Sequence, residues 1–365
     1  IQSGNANSLY RNRIEDVYKF IILTLEDAIE KLPETNDLGR ISKWSAYGLL
    51  AKVYLTKSGY NQSGSRSQDD LDKAVEYAGY VVNESGLTLE PDYAKLFTIS
   101  GGNRNEENLI SWHWIVVENN WGPQNAMQAD LAVQGLTGHG DGWGTWSGPS
   151  IFLQSLFGED ATKILPEERV NTDRRRKATM MMTGDYYPEM RSEDGGFYVY
   201  WDGGAVFASN TGAWARKHIV GHYSDHLREA GHSSQFMKTS LSTHLLRLAD
   251  VYLIYAEAIL GNNSQTSDSR ALAAYNAVRR RAIPTHTDES TITFDNIFNE
   301  RIRELSFEGD NWFDYVRLHY YNPALAKARM AAWAPAPGVL APEPPGARTL
   351  MWMAVIPLSL AMVAA

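Results

Sequence analysis

Residues 298–318 read FNERIRELSFEGDNWFDYVRL. Ile297, Phe298, Ile302 and Leu305 recur at helical spacing, and Phe307 completes the apolar set. Gly309 breaks the run. Trp312, Phe313, Val316 and Leu318 then continue it as a second short helix. Glu300, Glu304 and Glu308 share one face of the first helix, with Arg301 and Arg303 beside them and Asp310 just beyond. Paired carboxylates can do acid–base work. Here the supply of cations, with Arg279, Arg280, Arg281 and Arg317 near in sequence, favours helix–helix ion pairs instead. Carboxylates so partnered stay ionised and make poor general acids.

Further helices flank this segment. Upstream, Leu245–Leu260 predicts a helix closed by Gly261 and Asn262, and Ala271–Arg281 predicts its partner, ended before Pro284. Near the N-terminus, residues 14–32 place Ile14, Val17, Ile21, Leu25, Ala28, Ile29 and Leu32 inward. Ser42 is a plausible N-cap for a helix through Leu55, and a third helix spans about Asp70 to Asn83. Small residues (Ala46, Gly48, Ala51, Ala74, Ala78) sit among large ones (Leu50, Tyr54, Tyr77), which lets paired helices approach closely. The two hairpins resemble tetratricopeptide-like units.

Between them, over about 100–235, the texture changes. Leu109–Val117 predicts a strand, on which Trp112 and Trp114 are expected to face the core. A long Gly/Asn/Trp-rich stretch, 119–149, follows. A loop of that length inside a compact chain is usually functional or disordered, and fixed aromatics favour the first. After Asn322 comes an Ala/Pro-rich segment, 324–349, and then an apolar tail, 350–365, shorter than the twenty or so residues a membrane span needs.

Composition narrows the function classes. The chain has 365 residues and a net charge of -9, with a pI near 5.5. An acidic surface argues against nucleic acid as a partner, because phosphate binding needs a basic face. With no cysteine there is no disulfide, thiolate metal site or Cys nucleophile. His218, His222 and His226 are spaced for a metal face on a helix, but Gly221 interrupts them. Gly138–Gly142 lacks the Gly-Lys-Ser/Thr end of a phosphate loop. Arg174–Lys177 is expected to be solvated or ion-paired. No catalytic residue, metal or cofactor is therefore expected.

Eleven Trp and nineteen Tyr are a rich supply, and many lie in polar loops, where exposed rings are costly without a use. Sugar rings offer an apolar C–H face for stacking and a rim of hydroxyls for Asn and Asp. The candidate ligand-binding residues are Trp121, Asn125, Asp141, Trp143, Trp146, Tyr186, Tyr187 and Trp201, with Asp185 nearby.

Several ordered motifs resemble those of the SusD/RagB family. They are 298–318 itself, LRLADVYLIYAEAIL (246–260), LAAYNAVRRRAIP (272–284) and GRISKWSAYGLLAKVYL (39–55). ENLISWHW (107–114), GDGWGTWSGPS (140–150) and the Asp173-Arg174 pair after LQSLFGED find counterparts too. The resemblance implies a mainly α fold: tetratricopeptide-like hairpins forming a curved scaffold, with a loop-rich face and a few short strands. It implies one domain over 1–349, with scaffold at 10–100 and 236–322 and a ligand-binding insertion at 101–235. It implies a lipid-anchored protein on the extracellular face of a Bacteroidota outer membrane. There it would capture an oligosaccharide, or in RagB-like members an oligopeptide, and deliver it to a SusC-like TonB-dependent barrel, acting as its lid. A glycoside hydrolase on a helical scaffold is the competing class. The family's lipidated cysteine and a longer N-terminal portion, which would hold part of the ligand surface, are not in this sequence. Only Val355-Ile356-Pro357 hints at the usual Pro-Ile-Pro ending.

Overall fold

The computed structural model describes residues 11–37, 39–103, 106–116, 125–140, 142–144, 148–160, 168–199, 211–234 and 237–332. The apolar tail at 350–365 lies outside them. The fold is mainly helical. The long helices are α1 (Ile14–Lys31), α2 (Lys43–Lys57) and α3 (Gln68–Glu84) before the middle region. The middle holds short helices α4 (Ile99–Asn103), α5 (Met127–Leu131), α6 (Ile151–Leu156), α7 (Arg175–Thr179) and α8 (Tyr223–Ala230). After it come α9 (Leu248–Leu260), α10 (Ser269–Ala282), α11 (Phe294–Leu305), α12 (Asp310–Tyr321) and α13 (Pro323–Ala331).

The helix starts are chemically marked. Ser42 and Ser45 form a capping box at α2, and Thr293 and Asn296 form one at α11. Ser67 accepts the Asp70 N–H at α3, and Asp268 accepts that of Arg270 at α10. Gly309, at φ +93°, turns the chain between α11 and α12, a conformation that costs a β-carbon residue strain.

Helices α2, α3 and α9 pack in sequence, with α10 and α11 against α9. Ala51, Ala74 and Ala78 are fully buried at the α2–α3 contact beside Leu71 and Ile254. Because α9 has helices on several sides, it is apolar nearly all round and buries Leu253, Ala256 and Leu260 against α10 and α11. By contrast α1 buries no residue. Its apolar stripe is only half covered: Ile21, Leu25 and Ile29 lean inward, while Ile14 and Val17, expected inward, face solvent with Phe20 and Leu23.

Strand β1 (Asn108–Trp112) is shorter than the 109–117 reading and pairs antiparallel with β6 (Thr243–Arg247). The pairing joins the beginning of the middle region to its end. Between them β2 (Met180–Met182) pairs with β5 (Ala213–Ala215), and β3 (Tyr186–Tyr187) with β4 (Phe197–Tyr198). After α9, β7 (Gln265–Thr266) pairs with β8 (Ile292–Thr293). The expectation that Trp112 and Trp114 are core is overturned: Trp112 is 40% exposed and Trp114 half-buried. Register shifts on either side of Ile110 break the alternation that begins at buried Leu109, and bulges of this kind re-aim side chains.

Candidate functional site

The charge-dense 298–318 segment is buried framework. Glu304, with no exposed side chain, meets Arg175 (2.9 Å), Arg247 (2.9 Å) and Arg281 (2.5 Å). Glu300 meets Arg175 (2.7 Å), Arg279 and Arg303, and Glu308 meets Lys217 (2.9 Å) and Arg247 (2.7 Å). Glu107 and Asp173 complete the cluster through Arg247, Arg281 and Arg175. Burial alone would raise the carboxyls of Glu300, Glu304 and Glu308. The neighbouring cations outweigh it, holding Glu308 at about 2 and Glu300 and Glu304 below their usual range. A second cluster joins Arg301 to Asp250 and Asp314, Arg317 to Asp314 and Glu257, and Lys52 to Asp250 and Asp310. The 174–177 run is framework too: Arg175 and Arg176 are buried and ion-paired, Arg176 to Glu159 and Asp185.

The three histidines act separately. His218 is buried with Nε2 on the Phe307 carbonyl. His222 caps α8. His226 packs between the His232 carbonyl and Ser240. Among the described residues no His, Asp and Glu cluster is arranged to hold a metal. No described helix is long and apolar enough to cross a membrane.

Of the sequence-derived ligand residues, Trp121, Asp141, Trp146 and Trp201 lie outside the described residues. Trp143 is 64% exposed on a tethered loop: its N–H donates to the Ala129 carbonyl and that of Gly144 to Ala132. The flanking glycines serve close backbone approach, since a Cβ at Gly142 or Gly144 would collide with the carbonyls of Val133 or Leu131. Tyr186 stacks on Tyr198 across β3–β4, ring centroids 4.1 Å apart and 24° between planes, and its hydroxyl donates to the Gly195 carbonyl. Tyr198 is 50% exposed, so the pair offers an anchored aromatic face. Tyr187, on the opposite side of the strand, is buried; its ring lies beneath Lys177 and Arg216 and its hydroxyl reaches the Lys177 and Met180 carbonyls. Asn125 is buried as well, donating to the Leu241 carbonyl and accepting the Met127 N–H. Asp185 is committed to Arg176 and the Met182 N–H. Trp143 and the β3–β4 hairpin border one small core, in which Val133 and Leu131 pack with Tyr187 and Phe197.

A second feature went unread in the sequence. Where β1 runs out, Trp114 and Ile115 line an open cavity of about 420 Å³ together with Glu229, Ala230 and His232 at the end of α8. Ile99, Ser100 and Ser240 line the rest. The Trp114 indole N–H donates to Thr243 Oγ1 (3.0 Å), which fixes the ring, and Trp112 meets it edge-on at 6.1 Å. Glu229 Oε2 accepts the Ile99 N–H, and burial raises this carboxyl above its ordinary value. The volume falls in the range of small-molecule pockets. The available signal was two tryptophans and an isoleucine at the mouth of a Gly/Asn-rich loop.

Comparison with known proteins places this architecture. The SusD family model matches residues 49–335. A SusD-like protein of Bacteroides ovatus is 39% identical over 313 residues, 86% of this chain and 52% of its own length. A crystal structure with xylogluco-oligosaccharide is 37% identical, with a TM-score of 0.74, covering 88% of this chain and 60% of that one. A laminarin-binding SusD-like protein shares the fold at 23% identity and a TM-score of 0.60, over 89% of this chain and 64% of that one. The chain spans about half the length of the curated relatives it matches. With the family model covering most of its length and a relative of this similarity, the chain belongs to the SusD family.

Proposed function

We propose that this chain captures an oligosaccharide and does not cleave it. The observation that carries the reading is the set of surface aromatics on the middle region: Trp143 on its tethered loop, Tyr198 stacked on Tyr186, and Trp112 against Trp114. Rings held rigidly at the surface lose little entropy when a pyranose face stacks on them. Two structural relatives, one with a xylogluco-oligosaccharide and one laminarin-binding, support a glycan as the ligand class. The binding-only reading is supported by Glu300, Glu304 and Glu308, whose side chains are shut from solvent against arginine and lysine.

Membership of the family supports a further reading, in which the protein is lipid-anchored on the extracellular face of the outer membrane and acts as lid and delivery partner of a SusC-like TonB-dependent barrel. Trp121, Asp141, Trp146 and Trp201 are proposed to extend the aromatic surface, and Asn125 and Tyr187 to support it from beneath. The division into a scaffold and a 101–235 ligand-binding insertion follows the same reading. The test is titration of the protein with neutral glucan oligosaccharides, followed by Trp fluorescence and by reducing-end assay. A saturable fluorescence shift without new reducing ends is expected, and Trp143→Ala should weaken binding about tenfold, the value of one good stacking contact. Release of reducing ends would overturn the reading. Affinity for peptides alone would move the ligand to the oligopeptide class.

A further inference from the structure

We infer that the cavity between Trp114 and Glu229 is a recess for a single neutral sugar unit branching from the bound chain. This rests on the glycan-capture reading and adds to it a preference for branched over linear ligands. Trp143, Tyr198 and Trp112 are exposed at the surface. The cavity is different in kind. Its lining combines apolar Trp114, Ile99 and Ile115, the last 63% exposed, with polar Glu229, His232, Ser100 and Ser240. Such a mixed lining matches a pyranose, which has a C–H face and a hydroxyl rim.

The recess is built, not incidental. Thr243 locks the Trp114 ring, as described. His226 fixes the wall that carries His232 and Ser240. Its Nδ1 lies 2.8 Å from the His232 carbonyl, so that nitrogen must carry the proton. Nε2 is then the acceptor, taking the Ser240 N–H at 3.2 Å. Burial lowers the basicity of His226, which keeps the ring in this neutral form. Glu229 uses Oε2 on the Ile99 N–H at 3.1 Å, leaving Oε1 as an acceptor for sugar hydroxyls. A carboxylate in this position, on a chain of net charge -9, repels uronic acids and so selects neutral units.

The experiment is calorimetric titration of the whole chain with three oligosaccharides of one β-glucan backbone length: unbranched, bearing neutral single-sugar branches, and bearing uronic acid branches. The neutral branched ligand should bind about tenfold tighter than the unbranched one, and the acidic one no better than the unbranched. Ala230→Trp, which fills the recess, should bring the branched-to-unbranched ratio to near one. Ile115→Ala, at an exposed position that does not threaten folding, should reduce the ratio about threefold. Glu229→Gln should improve the acidic ligand relative to the neutral one. A ratio near one in the unaltered protein, or a tenfold ratio that survives both Ala230→Trp and Ile115→Ala, overturns the recess while leaving glycan capture standing. Failure of all three ligands to bind sinks the capture reading itself.

Discussion

Replacing Glu304 by Gln would keep its volume and remove one charge from the centre of the buried cluster. The carboxylate lies against Arg175, Arg247 and Arg281 with no solvent to take its place. Three charge-assisted contacts at roughly 1.5–3 kcal/mol each set an upper bound. Glu107, Glu300 and Glu308 still neutralise the same guanidinium groups in part, so the net loss should be nearer the 3–5 kcal/mol typical of a broken buried pair. With a urea dependence of about 3 kcal/mol per molar, the unfolding midpoint should fall by about 1–2 M. Glu34→Gln, which breaks the exposed pair with Lys43, serves as control and should cost under about 0.5 kcal/mol. Circular dichroism against urea reads both variants. A Glu304→Gln midpoint within about 0.3 M of the parent would refute the assignment of 298–318 to framework. So would loss of glycan affinity with stability intact, since that places the carboxylate in a site.

Acid should unfold the protein across a defined window. Burial raises Glu257 and Glu308, but their arginine and lysine partners prevail and hold both at about 2, against 4.5 for the free side chain. Their stabilisation is complete above about pH 4.5 and is lost as pH falls toward 2, about 3 kcal/mol for each. A folded far-UV spectrum and unchanged melting temperature at pH 2.5 would contradict this. Asp310 has the opposite sign: burial lifts it to about 6, so its contribution is present below about pH 4 and fades as pH rises through 6. Gly309→Ala meets no atom within 4 Å of the new Cβ, so its cost is backbone strain alone, about 1–2 kcal/mol by chemical denaturation. A stabilised variant would show that the turn is not left-handed. Phe20→Ser on the open face of α1 should change stability by less than about 0.5 kcal/mol, while Leu71→Ala, fully buried, should cost about 2–5 kcal/mol. Equal losses would mean that α1 is covered.

The long helices could be read from spacing and caps because α2, α3, α9, α10 and α11 each bury a face whose period is their own. Spacing reports a stripe, not its cover: it puts Ile14 and Val17 inward, whereas both are exposed and the Ile21, Leu25 and Ile29 part of the stripe is half-buried. In β1 the misreading arose from register: alternation assigns Trp112 and Trp114 to the core only if the ladder is regular, and it shifts twice before them. At the aromatic surface the residue types were legible and their directions were not. Tyr186 and Tyr187 are neighbours in sequence with opposite fates, one stacked at the surface and one buried, because the faces of a two-residue strand depend on what packs beneath it. The Trp114 recess was hidden for a related reason. Part of its lining comes from α8, more than a hundred residues away in sequence.

The β1–β6 pairing has an evolutionary corollary. By clamping residues 108–112 to 243–247, it closes the intervening segment at its neck. The described part of that segment also packs on the scaffold: Leu153, Phe157, Met180 and Met182 share a core with Phe298, Ile302 and Tyr315, and Arg175 and Lys217 pair with Glu300, Glu304 and Glu308. Lengthening a closed loop is thermodynamically cheap, about 0.6 kcal/mol per doubling. The tips of this segment can be recast, lengthened or exchanged while the helices keep their partners. On the glycan-capture proposal, a lineage adapting to a new polysaccharide would rewrite those tips and keep the clamp and the shared core.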